Sequence, residues 1–171
     1  MKRLSAVQEK FILHWGEMGT RWGINRTVAQ VHALLYLSPK PLNADDIVQA
    51  LDVARSNVST SLKELQGWGI VSRVHVRDDK RDHFESVKDV WAMFRIVLDE
   101  RKKREIDPTL RVLRECLAEA EQDKATDAQT KERLRALSDF FTQTTEWYAQ
   151  VREWPRSALV SLLKLGDKAR K

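Results

Sequence analysis

The chain has 171 residues, 42% hydrophobic and 32% charged, which suits one folded domain or a small module with a helical extension. It has no apolar run as long as a membrane span and no signal-peptide core at its start, so we expect a cytoplasmic protein. The single cysteine, Cys116, excludes an intrachain disulfide. The net charge of +5 weakly favours an anionic partner, but a merely basic soluble protein would carry it equally well.

Two helices are predicted at the start of the chain. Over residues 4–22 apolar side chains recur at helical spacing: Leu4, Val7, Phe11, Trp15, Met18 and Trp22. Glycines interrupt this stripe, so we expect the helix to fray or bend by Gly19. The second helix should cover residues 26–37, with Asn25 as its N-cap. The proline-rich segment 38–41 ends it, because proline cannot continue a helix.

The next two predicted helices are joined by a tight turn. Asn43 is placed to cap the first of them, and residues 55–66 form the second. Away from its Val58, Leu62 and Leu65 stripe, the second helix carries Arg55, Ser56, Asn57, Ser59, Thr60 and Lys63. Arginine pairs with guanine, asparagine with adenine, and serine or threonine with base edges or phosphates. A solvated amphipathic helix is the alternative. The lack of acidic residues over 55–61 favours a DNA-reading helix, with Asn43 as a further contact.

After the second of these helices, apolar residues recur at every second position instead of at helical spacing, which is typical of the strands of a β-hairpin. Ile70, Val71, Val74 and Val76 indicate one strand, and residues 83–87 indicate its return strand. Between them, residues 77–82 are all charged, so the hairpin tip stands in solvent or on a polyanion. Its basic residues are predicted to reach the minor groove or flanking phosphates: Arg77, Lys80 and Arg81. The three aspartates in the same stretch indicate that not all of these basic residues touch DNA.

From Lys88 onward the pattern is helical. One stripe contains Val90, Trp91, Phe94, Val97 and Leu98. Asp107 and Pro108 are predicted to cap and open a new helix, and residues 123–130 form a polar linker. The following helix carries a seven-residue repeat typical of helix packing: Leu134, Leu137, Phe141, Thr144, Tyr148 and Val151. A short segment over residues 157–165 is predicted to close at Gly166.

These elements predict a mainly α fold with a small β-hairpin wing, a winged helix-turn-helix with N- and C-terminal dimerisation helices. The N-terminal helix covers residues 1–24, the DNA-binding domain 25–87, and the C-terminal helical dimerisation region 88–171. We expect a homodimer, because the apolar stripes of the flanking helices exceed what a winged helix needs to cover its own core. A symmetric dimer should bind a pseudo-palindromic site in double-stranded DNA.

Five sequence blocks resemble the GbsR-like branch of the MarR-type regulators. They are HWGEMG (14–19), WGINRTV (22–28), ALLYLS (33–38), SNVSTSLKEL (56–65) and GWGIV (67–71), within residues 10–95. The resemblance implies a homodimeric repressor-type regulator, in a branch whose better-known members control compatible-solute or choline uptake genes. The chain departs from the family at Ala54, where a serine cap on the DNA-reading helix is expected.

The six tryptophans allow two interpretations. They pack the core and a dimer interface, or some of them form a pocket for a quaternary ammonium effector such as choline. For the second interpretation the predicted lining is Trp15, Trp22, Trp91 and Phe94, between the winged module and the helical arm. The histidines and Cys116 lack metal-ligand spacing, and no catalytic or phosphate-loop motif is present, so we expect neither a cofactor nor an enzyme. The rival hypothesis is a winged-helix interaction adaptor that does not bind DNA.

Overall fold

The computed structural model describes residues 4–161, in two units that divide between Ile96 and Val97. The elements of the first unit are α1 (Ala6–Arg21), α2 (Arg26–Leu37), β1 (Leu42–Asn43), α3 (Ala44–Leu51), α4 (Arg55–Gly67), β2 (Val71–Val76) and β3 (Asp79–Ser86). Helix α5 (Val90–Arg101) spans the division. After it come a π-helical turn (Lys102–Ile106), α6 (Asp107–Gln122), α7 (Ala128–Arg152) and a helical stretch over residues 156–161. The predicted end of that stretch at Gly166 lies outside the described residues.

The core of the first unit lies where α2, α3 and α4 meet the sheet. Its most deeply buried side chains are Val31, Leu35, Ile47, Val58, Leu65 and Ile70. Asn25 caps α2 by accepting hydrogen bonds from the backbone N–H groups of Thr27 and Val28, and the helix has the bounds predicted from the sequence. The mainly α winged helix-turn-helix fold is confirmed.

The sheet has three antiparallel strands in the order β1-β3-β2. The two-residue strand β1 was not predicted; its Leu42 pairs with Phe84 of β3. The predicted six-residue hairpin tip is wrong, because β3 begins at Asp79 and only Arg77 and Asp78 form the turn. Asp78 adopts the left-handed conformation, φ 65°, which aspartate tolerates. Backbone pairing continues through charged residues because their side chains remain in solvent.

Helix α1 packs against α2 through glycines. A Cβ atom built on Gly19 would lie 2.5 Å from the Cβ of Ala29, so the two helices approach too closely for any larger residue. The prediction that α1 frays or bends by Gly19 is therefore wrong: the helix continues to Arg21, and Gly19 is a contact position. The buried face is Ile12, Gly16 and Gly19, whereas two residues of the predicted apolar stripe, Val7 and Trp22, are exposed.

Replacing Gly19 by alanine should lower the free energy of unfolding by about 1–3 kcal/mol, because overpacking outweighs the better helix propensity of alanine. Gly67→Ala is the matched control, since a Cβ there would meet no atom within 4 Å. It should be neutral or stabilising by up to about 1 kcal/mol. Urea unfolding of both variants checks the pair, and equal effects would contradict the close approach of α1 to α2.

The second unit contains one continuous helical path from α5 into α6. Asp107 does not cap a new helix, contrary to the sequence prediction: Ile106 and Asp107 have right-handed helical angles, and no side-chain cap bond is present. The π-helical turn accommodates Pro108, which lacks an N–H and would clash with the carbonyl four residues earlier. Asp107 instead accepts a hydrogen bond from Lys102 at 2.6 Å.

Helix α7 packs along α6, whose Leu110, Leu113 and Ala120 are buried. The face of α7 that is buried or half-buried contains Leu134, Ser138, Phe141, Thr145 and Tyr148. The predicted seven-residue repeat therefore describes this face only in part, because Leu137 and Thr144 are exposed. Tyr148 donates a hydrogen bond to Asp99 at 2.8 Å, and Asp99 also pairs with Arg152.

Candidate nucleic-acid interface

Helix α4 presents a polar, solvent-exposed face. All six of its side chains predicted to meet DNA are exposed: Arg55, Ser56, Asn57, Ser59, Thr60 and Lys63. Ser56 and Thr60 are one turn apart, as are Ser59 and Lys63, so each pair shares a side of the helix. Hydroxyl, amide and ammonium groups in these positions can hydrogen-bond to base edges and phosphates.

The N-terminus of α4 is suited to an anion. Ala54 is its N-cap and makes no side-chain cap bond. This is expected, because alanine stands where the family resemblance predicts a capping serine. The first-turn N–H groups therefore lack a capping side chain, and the positive end of the helix dipole adds to their attraction for a phosphate.

Arg55, the first residue of α4, forms an ion pair with Asp45 of α3. Both side chains are more than half exposed, so the pair contributes little to folding. Any contact of Arg55 with another molecule must therefore displace or share this carboxylate.

Asn43 does not belong to the exposed interface. It is 3% exposed, and its amide oxygen accepts hydrogen bonds from the N–H groups of Asp45 and Asp46 at 2.9 and 3.0 Å. Its own N–H donates to the Asp46 carboxylate, which completes a capping box for α3. The predicted cap is therefore confirmed. The predicted DNA contact of Asn43 stays a prediction: the residue lines the groove beside α4, but its side chain is buried and its amide oxygen already accepts two hydrogen bonds.

An open groove of about 440 Å³ runs between α4 and the sheet. Four of its lining side chains are cationic, namely Arg55, Lys63, Arg73 and Arg81, and two are carboxylates, Asp45 and Asp82. Arg73 was not predicted as a site residue. It is exposed on β2 and pairs with Asp82 at 3.3 Å. The sequence did contain a signal for Arg73. It lies two residues after the buried Val71, and because side chains alternate along a strand, both point to the same face of β2.

The wing holds its basic residues in two ways. Arg81 makes a two-pronged ion pair with Asp79, at 2.6 to 3.1 Å, and this guanidinium holds the pKa of the Asp79 carboxyl well below its usual range. The pair fixes the guanidinium along β3 while more than half of the Arg81 side chain stays exposed. Arg77, at the turn, and Lys80, on β3, are exposed and reach into solvent.

The four aromatics predicted to form an effector pocket lie in two pairs. Trp15 meets Trp22 edge-to-face at 6.1 Å, and Trp91 meets Phe94 in the same way at 6.5 Å. A cavity of about 210 Å³ adjoins the first pair, and of the four residues only Trp15 lines it. Sequence reasoning missed its other walls, among them His32, Tyr36 and Met93, because they lie outside the predicted apolar stripes and only the packing of three helices brings them together.

Within residues 4–161, no three histidine, cysteine, aspartate or glutamate side chains are grouped so that they could hold a metal ion. None of the helices in that range combines the length and apolar character needed to cross a membrane.

Comparison with known proteins agrees with this geometry. The MarR family model matches residues 22–82. The HTH-type transcriptional repressor GbsR of Bacillus subtilis (strain 168) is 22% identical over 101 residues, which cover 59% of this chain and 56% of that protein. The match thus spans little more than half the length of this curated relative.

The crystal structure of a transcriptional regulator superposes with a TM-score of 0.59, covering 85% of this chain and 95% of the other. At 17% identity this likeness shows the fold alone. Residues 22–82 thus carry the MarR-family pattern, and for this part of the chain the resemblance to the GbsR-like branch of the MarR-type regulators is confirmed.

Proposed function

We propose that the chain is a cytoplasmic, homodimeric repressor of transcription that reads a pseudo-palindromic operator with one α4 helix from each protomer. The observation that carries this proposal is the polar face of α4 beside a groove with four cationic side chains. The GbsR relative, named as a transcriptional repressor, supports the direction of regulation. A dimer should contact half-sites about one helical turn apart, roughly 10 base pairs.

The interface divides into two roles. We assign base recognition to Ser56, Asn57, Ser59 and Thr60, because their short polar side chains let the helix backbone approach the base edges. Arg55 can pair with guanine once it leaves or shares Asp45, and the remaining basic residues, Lys63, Arg73, Arg77, Lys80 and Arg81, contact phosphates or the minor groove. Phosphate contacts position the protein on any sequence, whereas base contacts set the preference.

Two substitutions test this division on DNA from upstream of the encoding gene. Asn57→Ala should weaken operator binding by about 1–3 kcal/mol and relax base preference at one position in each half-site. Arg81→Ala should weaken binding to every sequence and make the salt dependence shallower. Fluorescence anisotropy at several salt concentrations separates the two effects. Equal behaviour of the variants would contradict the assignment, and the absence of salt-dependent binding by the parent protein would favour an interaction adaptor.

The dimer is supported by apolar surface that neither unit covers by itself. In the second unit Phe140 is 62% and Trp147 56% exposed, and on α1 Val7 is 77% exposed. Phe140→Glu should produce monomers at micromolar concentration in sedimentation equilibrium, because burying a charge in an apolar interface is unfavourable. Arg135→Gln is the control, because Arg135 is exposed on another side of the same helix and the substitution changes the net charge by the same amount. A parent protein that is monomeric under these conditions would contradict the dimer.

We also propose that a small effector changes the affinity for the operator. It can do so only by binding the two states of the dimer with different affinity, and useful coupling is about 1–3 kcal/mol. The site that supports this proposal best is the cavity beside Trp15.

A further inference from the structure

Asp45 places a carboxylate in the groove beside α4. Its backbone N–H donates to the amide oxygen of the buried Asn43, which fixes the first turn of α3, so the carboxylate stands at a defined position. Its ion-pair partner Arg55, the first residue of α4, lines the same groove. Because both side chains are more than half exposed, the pair adds little to folding, and DNA that enters the groove would meet both of them.

The ion pair engages only one nitrogen of the Arg55 guanidinium. Nη1 donates to Asp45, and within residues 4–161 the other nitrogens of this side chain make no hydrogen bond. Nε and Nη2 together form one edge of a guanidinium, and on Arg81 both of them are taken by Asp79. On Arg55 this two-pronged edge remains available for another acceptor.

The free edge of Arg55 matches the O6 and N7 acceptors that guanine exposes in the major groove. A phosphate can also accept from it, but the phosphate would bring a second negative charge close to the Asp45 carboxylate. The guanine edge is uncharged, so Asp45 opposes phosphate contacts by Arg55 and leaves guanine contacts unopposed. The pair also restricts the long Arg55 side chain, which lowers the entropy that is lost when guanine is bound.

We propose that Asp45 determines base specificity through Arg55. It holds the guanidinium by Nη1, keeps it from phosphates and leaves the edge of Nε and Nη2 for one guanine in each operator half-site. Asp45 is thus a positioning residue that does not itself touch DNA, and Arg55 shares its carboxylate in the complex. This role rests on the proposed function and deepens it, because it names the base that Arg55 reads.

The test compares Asp45→Asn with the parent protein by fluorescence anisotropy, on DNA from upstream of the encoding gene and on a scrambled fragment of equal length and composition. The affinity for scrambled DNA should rise about threefold or more, because the released Arg55 can reach phosphates. The affinity for upstream DNA should fall or stay the same, because the lost positioning offsets the removed charge. Asp139→Asn, exposed on α7, changes the net charge equally and should leave the ratio of the two affinities within about twofold of the parent.

Two further measurements separate positioning from charge. In an Arg55→Ala background, Asp45→Asn should change the ratio by less than about twofold, because a residue that acts through Arg55 has no effect without it. The second uses upstream DNA with single guanines replaced by 7-deazaguanine, which lacks the N7 acceptor. The parent should bind more weakly when one particular guanine in each half-site is replaced, and Asp45→Asn and Arg55→Ala should both lose this sensitivity.

The outcomes distinguish this role of Asp45 from the proposed function. If Asp45→Asn discriminates between the two DNAs as well as the parent, or acts equally with and without Arg55, the role of Asp45 is overturned and the proposed function stands. If the parent binds upstream and scrambled DNA equally, the proposed function is rejected, and the role of Asp45 falls with it.

Discussion

Replacing Thr60 by glutamate should lower the affinity for the operator about 100-fold or more while leaving the fold intact. Thr60 is exposed on α4, one turn after Ser56, so the new carboxylate would stand on the face that we assign to DNA. Placing a like charge against phosphates costs several kcal/mol, and about 3 kcal/mol corresponds to roughly two orders of magnitude in affinity. Anisotropy titrations at one fixed salt concentration measure the loss, because DNA affinity varies steeply with salt.

Gln129→Glu is the control for net charge. Gln129 is exposed in the first turn of α7, where the helix dipole favours a carboxylate, and the substitution changes the charge of the chain by the same amount. It should leave operator affinity within about twofold of the parent. If Thr60→Glu also bound the operator normally, α4 would not be the helix that reads DNA.

The exposed polar side of α4 was predictable because its sequence carries two signals together. The apolar residues Val58, Leu62 and Leu65 fix the buried side, and the remaining positions then face outward. The structure buries these three and leaves all six predicted contact residues of α4 exposed. Asn43 shows the limit of such reasoning. An amide side chain suits a helix cap and a base contact equally well, and only its burial in the structure favours the cap.

Contacts between distant parts of the chain were not predictable from spacing. Lys88 binds carbonyl groups about fifty residues earlier, and backbone carbonyls have no sequence signature. On α1, apolar spacing pointed to Val7, Phe11 and Trp15, whereas the close face is made by glycines. From the sequence alone, a glycine within a helix predicts a break, because the helix that packs against it is not known. Here that helix is α2.

Lowering the pH from 7 to 5 should reduce the free energy of unfolding by about 2 kcal/mol through His32 alone. Its pKa is about 4 in the folded protein, against 6.5 for an ordinary histidine, because burial disfavours the imidazolium. Over this range the unfolded chain binds a proton that the folded chain does not, so stability falls as the pH falls. The stability that depends on a neutral His32 is fully retained above about pH 7 and fully lost below about pH 4.

Urea unfolding of the parent and of His32→Gln at both pH values isolates this effect, because glutamine does not titrate and every other group is common to the two proteins. Asp79 does not interfere. Because the pKa of Asp79 is depressed, its contribution to the free energy of unfolding is present above the ordinary aspartate pKa of 3.8 and is lost only at lower pH. The pH-dependent loss should be about 2 kcal/mol smaller in His32→Gln than in the parent. Equal losses would mean that His32 accepts a proton inside the folded protein as readily as it does in the unfolded chain.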